Sequence, residues 1–116
     1  MTLSTNPGYI INAKVFVEFW RRVEIGAADE CWPWIGYIVE GRGKFKIRRR
    51  SDGRYLPTKA HRIAFLFANG YIPEGNRVIH HSCNNGICCN PLHLLDWTKK
   101  QHQRYHIGVY ERVERR

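Results

Sequence analysis

His80-His81-Ser82-Cys83-Asn84-Asn85-Gly86-Ile87-Cys88-Cys89-Asn90-Pro91-Leu92-His93-Leu94 is the stretch from which the fold can be read. Cys83, Cys88 and His93 each stand five positions from the next, a spacing that lets a tight turn bring three ligands to one Zn²⁺. A tetrahedral structural zinc needs a fourth ligand from elsewhere in the chain, and Cys31 is the candidate.

The composition narrows the class around that staple. A chain of 116 residues makes one small domain, which can bury a core and gains much from a metal. The 19 Lys and Arg against 10 Asp and Glu leave a formal charge of +9, which favours a polyanionic partner such as nucleic acid or an anionic membrane surface. No apolar run approaches the roughly 18 residues of a membrane span, and no signal peptide is visible. A soluble, cytoplasmic protein with no membrane partner is expected. In a reducing compartment, four Cys crowded near His read as metal ligands rather than disulfides.

The order of elements follows from periodicity. Phe16, Phe19, Trp20 and Val23 recur at helical spacing, which predicts an N-terminal helix over residues 13–25 ended by Gly26. Residues 31–57 read as a hairpin region, broken by Gly41 and Gly43 and returning through Lys44-Phe45-Lys46-Ile47-Arg48. Alternation along that strand puts Phe45 and Ile47 on one face and the cations on the other. A helix is expected over residues 59–69, capped by Thr58 and ended by Gly70. Arg77-Val78-Ile79-His80-His81 reads as a strand, and a second is expected near residues 94–97. Thr98 with Gln101 has the form of a capping box, so a third helix is expected to start there and run through His102 and His106 until Gly108. The strand, loop with strand, and helix make a ββα core over residues 78–107. The tail 108–116 has mixed charge and no clear fold.

The pattern His81-x-Cys83-x4-Cys88-x-Asn90-Pro91-x-His93-Leu94, with a ligand residue at His102, resembles the HNH (His-Me finger) endonucleases. The likeness is to the small phage and intron-encoded group, whose zinc-stapled relatives are the His-Cys box homing endonucleases. It extends upstream through Cys31-Trp32-Pro33-Trp34-x-Gly36, Ala60-His61-Arg62-x-Ala64 and Ile72-Pro73-x-Gly75. The resemblance implies one α+β HNH domain over residues 1–116, a zinc-stapled ββα-metal core with an N-terminal helix and an antiparallel DNA-binding hairpin. It implies His81 as general base, Asn90 as the central asparagine of the motif, and His102 as ligand of the catalytic metal; Asn90 is expected to hydrogen-bond loop backbone and hold the base in place, or else to be an ordinary Asn-Pro turn. It implies Cys31, Cys83, Cys88 and His93 as the structural zinc set. His80 is a candidate second ligand to the catalytic metal, because some relatives carry an acidic ligand just before the base. Position 102 is more often Asn in this group, so His102 is a departure.

The chemistry agrees with the resemblance. Hydrolysing a phosphodiester requires a deprotonated water in line with the leaving oxygen and neutralisation of the charge that builds there. A neutral imidazole can take the proton near pH 7, and a divalent cation can stabilise the leaving oxygen. The expected activity is therefore metal-dependent cleavage or nicking of DNA, with structural Zn²⁺ and a catalytic Mg²⁺, Mn²⁺, Co²⁺ or Ni²⁺. Cutting both strands would require a homodimer or two successive events. Arg42, Lys44, Lys46, Arg48 and Arg62 are candidate DNA contacts. Strand alternation allows only one of His80 and His81 to point directly into the cleft. His61 is expected to satisfy a buried hydrogen bond, Trp32 and Trp34 to be core, and Cys89 to be a buried thiol. The competing reading is a non-catalytic DNA-binding module, in which Cys83, Cys88, His102 and His106 form a C2H2-like zinc site. It leaves Cys31, His81 and His93 without a role.

Overall fold

The computed structural model describes residues 8–114. Its elements are α1 (Ala13–Arg21), β1 (Ile38–Val39), β2 (Arg42–Arg48), β3 (Tyr55–Lys59), α2 (Ala60–Asn69), β4 (Arg77–His81), β5 (Leu94–Thr98) and α3 (Lys99–Glu114), with a single 3-10 turn at Pro91–His93. Two antiparallel sheets result, one ordered β1-β2-β3 and one formed by β4 and β5 alone. This is the expected small α+β architecture.

Helix α1 begins where Asn12 Oδ1 accepts the Val15 N–H at 3.0 Å. It stops four residues before the expected end, and the reason is tertiary. Beyond Arg22 the backbone pairs with the segment that follows Cys31: Glu24 N–H donates to the Pro33 carbonyl at 2.9 Å, and Ile35 N–H donates to Arg22. Val23 bridges Trp34 in the same ladder. A strand contact thus replaces the last helical turn, and Gly26 terminates nothing.

In the hairpin, the turn is Glu40-Gly41, both at positive φ (51° and 75°), the geometry that suits a two-residue connection. Gly43 lies within β2 instead of in the turn. A Cβ there would stand 2.5 Å from the Trp34 ring, so glycine is required at 43 for close packing. Trp34, Phe19, Phe45 and Ile47 are all buried, and Phe19 sits 5.1 Å from Trp34 and 5.2 Å from Phe45 between ring centroids. The alternation along β2 holds, with Phe45 and Ile47 inward and Lys46 and Arg48 exposed.

Helix α2 packs on β2 and β3 and ends with Gly70 in the left-handed conformation, its N–H donating to Leu66. Thr58 does not cap it. That residue belongs to β3, pairs with Phe45, and its hydroxyl donates to the Phe45 carbonyl at 2.8 Å. The capping box of α3 forms as expected: Gln101 N–H donates to Thr98 Oγ1 at 3.0 Å and Thr98 N–H donates to Gln101 Oε1 at 2.8 Å. Gly108 does not end this helix, whose backbone continues to Glu114. A lone interior glycine costs about 1 kcal/mol, which weakens a helix without breaking it. Of the sequence regions read above, residues 1–7 and 115–116 lie outside the described part.

Candidate active site and metal centre

The first site is the Cys/His cluster. One ligand atom from each of Cys31, Cys83, Cys88 and His93 lies within 4.8 Å of all the others. The Cys31 and Cys88 sulfurs are 3.8 and 3.5 Å from His93 Nδ1, close to the roughly 3.5–3.8 Å edges of a tetrahedron with ~2.0–2.3 Å bonds to zinc. The donor chemistry fits as well. His93 turns Nδ1 to the thiols and donates Nε2–H to the Asp29 carbonyl at 3.1 Å, which fixes the tautomer as outer partners of ligating histidines do. Trp32 N–H donates to Cys88 Sγ at 3.4 Å. Cys31 reaches the cluster because Trp34 N–H donates to Ile87 and Cys89 N–H donates to Trp32, at 2.9 and 2.8 Å, so that residues 32–34 run alongside residues 87–89. These four residues could hold Zn²⁺. Cys89 stays apart, 1% exposed, and burial pushes its thiol up to about 12; it is the inert buried thiol expected.

The second site is a cleft of about 390 Å³, lined by β4 together with Arg42, Lys59, His61, Arg62, Asn84, Gly86, His102 and His106. Among the described residues strand β4 pairs only with β5, and α2 and α3 supply the histidines on either side. Both His80 and His81 therefore line the cleft, where simple alternation admitted one: His81 meets His61 of α2, and His80 meets His102 of α3. His80 Nδ1 is 3.3 Å from His102 Nδ1, and His102 Nε2 is 3.1 Å from His106 Nε2. One nitrogen from each of these three rings lies within 4.8 Å of the others, a set of borderline donors suited to a first-row divalent ion. His80 is stacked flat on Trp97, 4.0 Å between centroids and 6° between planes, which holds the ring in place. Burial holds both His80 and His102 below the ordinary imidazole range, and neighbouring histidines add to it. Both rings therefore favour the neutral form that can ligate a metal.

His81 lies just before the Cys-rich turn. The ring lies near the Cys88 backbone, and its Nε2 is buried without a partner. Burial and the nearby Arg42 guanidinium bring its pKa down to about 4, so at neutral pH Nε2 is free to accept a proton. Arg42 comes from the hairpin turn across Gly86. A Cβ at Gly86 would run into the Arg42 guanidinium and stand 2.7 Å from the Gly41 carbonyl, so this close approach admits only glycine.

The comparisons with known proteins bear on this same stretch. Residues 58–104 match the family model described as HNH endonuclease. This segment is similar to the HNH endonuclease family. The chain is also similar to Protein 2.8 of Escherichia phage T7, 31% identical over 81 residues that cover 70% of this chain and 51% of the relative. It thus spans about half the length of the curated relative it matches. No solved structure matches the chain at a significant level.

The matched segment contains His61, His80, His81 and His102 of the cleft, with His106 just beyond its end, and the fold divides the motif residues between the two sites. His102 and His106 cluster with His80, while Cys83 and Cys88 cluster with Cys31 and His93, so the C2H2-like pairing is not formed. Asn90 is fully buried and all its bonds go to backbone: Nδ2 donates to Ala28 and Glu30 carbonyls at 2.8 and 2.6 Å, and Oδ1 accepts the Leu92 N–H at 3.0 Å. It ties the loop before Cys31 to the turn that carries His93, and so positions the Cys/His cluster rather than the cleft. His61 does not find the buried hydrogen bond expected of it, for its Nδ1 has no partner. Of the expected DNA contacts, Arg42 and Arg62 line the cleft, and Lys44, Lys46 and Arg48 continue along the outward face of β2. Sequence reading missed two residues. His106 was visible as the i+4 partner of His102 on one helix face. Lys59, placed at the start of a helix, is instead the strand partner of Lys44, and no local signal marked that.

Proposed function

We propose that this protein is a metal-dependent DNA endonuclease, with His81 as general base and His80, His102 and His106 as ligands of one divalent catalytic ion. The observation that carries the reading is the unpartnered Nε2 of His81 in a cleft shared with the three-histidine cluster and three cations. His81 takes a proton from a water, whose oxygen attacks phosphorus, and the P–O3′ bond breaks to leave 5′-phosphate and 3′-hydroxyl ends. The bound ion would neutralise charge on the leaving oxygen. Arg42, Lys59 and Arg62 hold the phosphate beside the base, and Lys44, Lys46 and Arg48 carry the flanking backbone. The Cys31, Cys83, Cys88 and His93 set holds a structural Zn²⁺, which fixes the turn that orients His81. One cleft cuts one strand, so double-strand cleavage takes a homodimer or two events. The likeness to a phage protein fits action on DNA inside a host cell, and among the described residues no helix is long and apolar enough to cross a membrane.

The deciding experiment incubates supercoiled plasmid with the protein, with and without added divalent metal. Metal-dependent appearance of nicked or linear DNA supports the reading. Salt-sensitive binding with no cleavage under any metal replaces it with a DNA-binding module.

Two further outcomes are expected. Imidazole nitrogen suits Mn²⁺, Co²⁺ and Ni²⁺ better than the hard ion Mg²⁺, so wild type should cut at least as fast with those ions as with Mg²⁺. His102→Asn should shift the preference toward Mg²⁺ while keeping some activity. Cleavage rates across a metal series, with structural zinc held constant, check this; His102→Ala cutting normally with every metal removes the ligand role. The cationic face gives the second outcome. Binding should weaken steeply with salt, and Lys44→Ala or Lys46→Ala should lower affinity for all sequences alike and reduce the salt slope by about 1. A flat dependence of Kd on salt argues against phosphate contacts.

A further inference from the structure

Among the described residues, two buried side-chain nitrogens have no hydrogen-bond partner, His61 Nδ1 and His81 Nε2. They belong to one contact, with ring centroids 4.6 Å apart and planes tilted by 59°, and both rings line the cleft. His61 is 8% exposed on a helix otherwise filled with Ile63, Ala64, Phe65 and Leu66. An apolar side chain would serve the packing of α2 better, because an unpaired buried nitrogen costs stability. Burial, followed by the charges of His81, Lys59, Arg42 and Arg62, brings the His61 pKa down to about 3. At neutral pH it is an uncharged ring with one N–H to give.

We propose that His61 is a second catalytic histidine, whose Nδ1–H donates to the oxygen of the attacking water and turns one of that water's protons toward His81 Nε2. This rests on the nuclease reading and deepens it. One ring donates and the other accepts, so a single water bonded to both would satisfy the two orphaned nitrogens. In the step, the water O–H bond breaks and its proton goes to His81 Nε2, while an O–P bond forms and the P–O3′ bond breaks. The 3′ oxygen takes a proton from solvent, and His81 returns its own to solvent. His61 keeps its proton throughout and acts as a fixed donor, which is most effective where water is otherwise excluded.

The test compares wild type, His61→Leu and His61→Asn by kcat and KM on plasmid DNA, by zinc content and by unfolding midpoint. Leucine removes the donor and keeps the volume, so kcat should fall roughly 100-fold, the scale for loss of one positioned donor. KM should hold, and the unfolding midpoint should stay or rise because an unpaired polar atom is gone. Asparagine places an amide N–H near the position of Nδ1 and should recover most of the rate. A structural histidine would show the reverse, lower stability with kcat intact. Leucine cutting within a few-fold of wild type overturns the proposal. If the leucine variant loses zinc and unfolds, the asparagine variant decides: near-wild-type kcat supports the donor role, and a folded asparagine variant with kcat down 100-fold overturns it. Wild type that fails to cut under any metal removes the nuclease reading and this role with it, whereas a cutting wild type with an equally fast His61→Leu removes this role alone.

Discussion

His81→Ala should cut supercoiled plasmid roughly 100- to 10,000-fold more slowly than wild type, the range over which a positioned general base acts, while binding DNA with unchanged affinity and retaining its zinc. The size of the effect follows from the isolation of the ring. Its Nε2 is the unpartnered acceptor on this wall of the cleft, and burial with Arg42 keeps it unprotonated at neutral pH. Its neighbours cannot stand in. His80 faces His102 and Trp97, and His61 approaches from α2 with a donor's role. Affinity is spared because the cations, not a neutral imidazole, meet the phosphates. Plasmid cleavage near pH 7, with zinc content as the check on folding, settles it. Wild-type rates from the mutant would remove His81 from the mechanism.

Loss of any one ligand of the Cys/His cluster should cost the protein its fold. A structural zinc contributes on the order of 10 kcal/mol, comparable to the whole net stability of a domain, roughly 5–15 kcal/mol. Cys31→Ala, Cys83→Ala, Cys88→Ala and His93→Ala should each lose tightly held zinc and unfold below room temperature or fail to fold. A strong chelator should unfold wild type. Cys89→Ala should keep one zinc per chain, since that thiol touches only the Ile87 carbonyl among polar groups, at 3.8 Å, and stands outside the cluster. Metal analysis with thermal unfolding checks the set. Full zinc and stability in Cys31→Ala would break it, because Cys31 is the ligand brought in from a distant part of the chain.

The elements legible in advance were those that local chemistry fixes. The capping box at Thr98 and Gln101 satisfies its donors within one turn, and Gly70 takes the left-handed cap that other residues avoid. Alternation buries Phe45 and Ile47 of β2, and the five-residue spacing of Cys83, Cys88 and His93 brings three donors together through a short turn. These choices depend on neighbours a few positions away, so periodicity and turn chemistry capture them.

Where reading and structure part, a distant segment decided. Helix α1 ends at Arg21 because residues 22–24 pair with residues 33–35; Thr58 joins β3 because Phe45 offers a strand partner. Asn90 makes the loop-backbone bonds expected of it, but its partners, the carbonyls of Ala28 and Glu30, lie some sixty residues upstream, where no local signal points. His106 joins the site because β4 sets His80 against α3, and His61 faces it because α2 packs behind His81. The sequence by itself determined the Cys-rich turn and the cationic strand. The tertiary structure decided which histidines share the cleft, because a hydrogen bond or ring contact between distant segments leaves no periodic trace in either one.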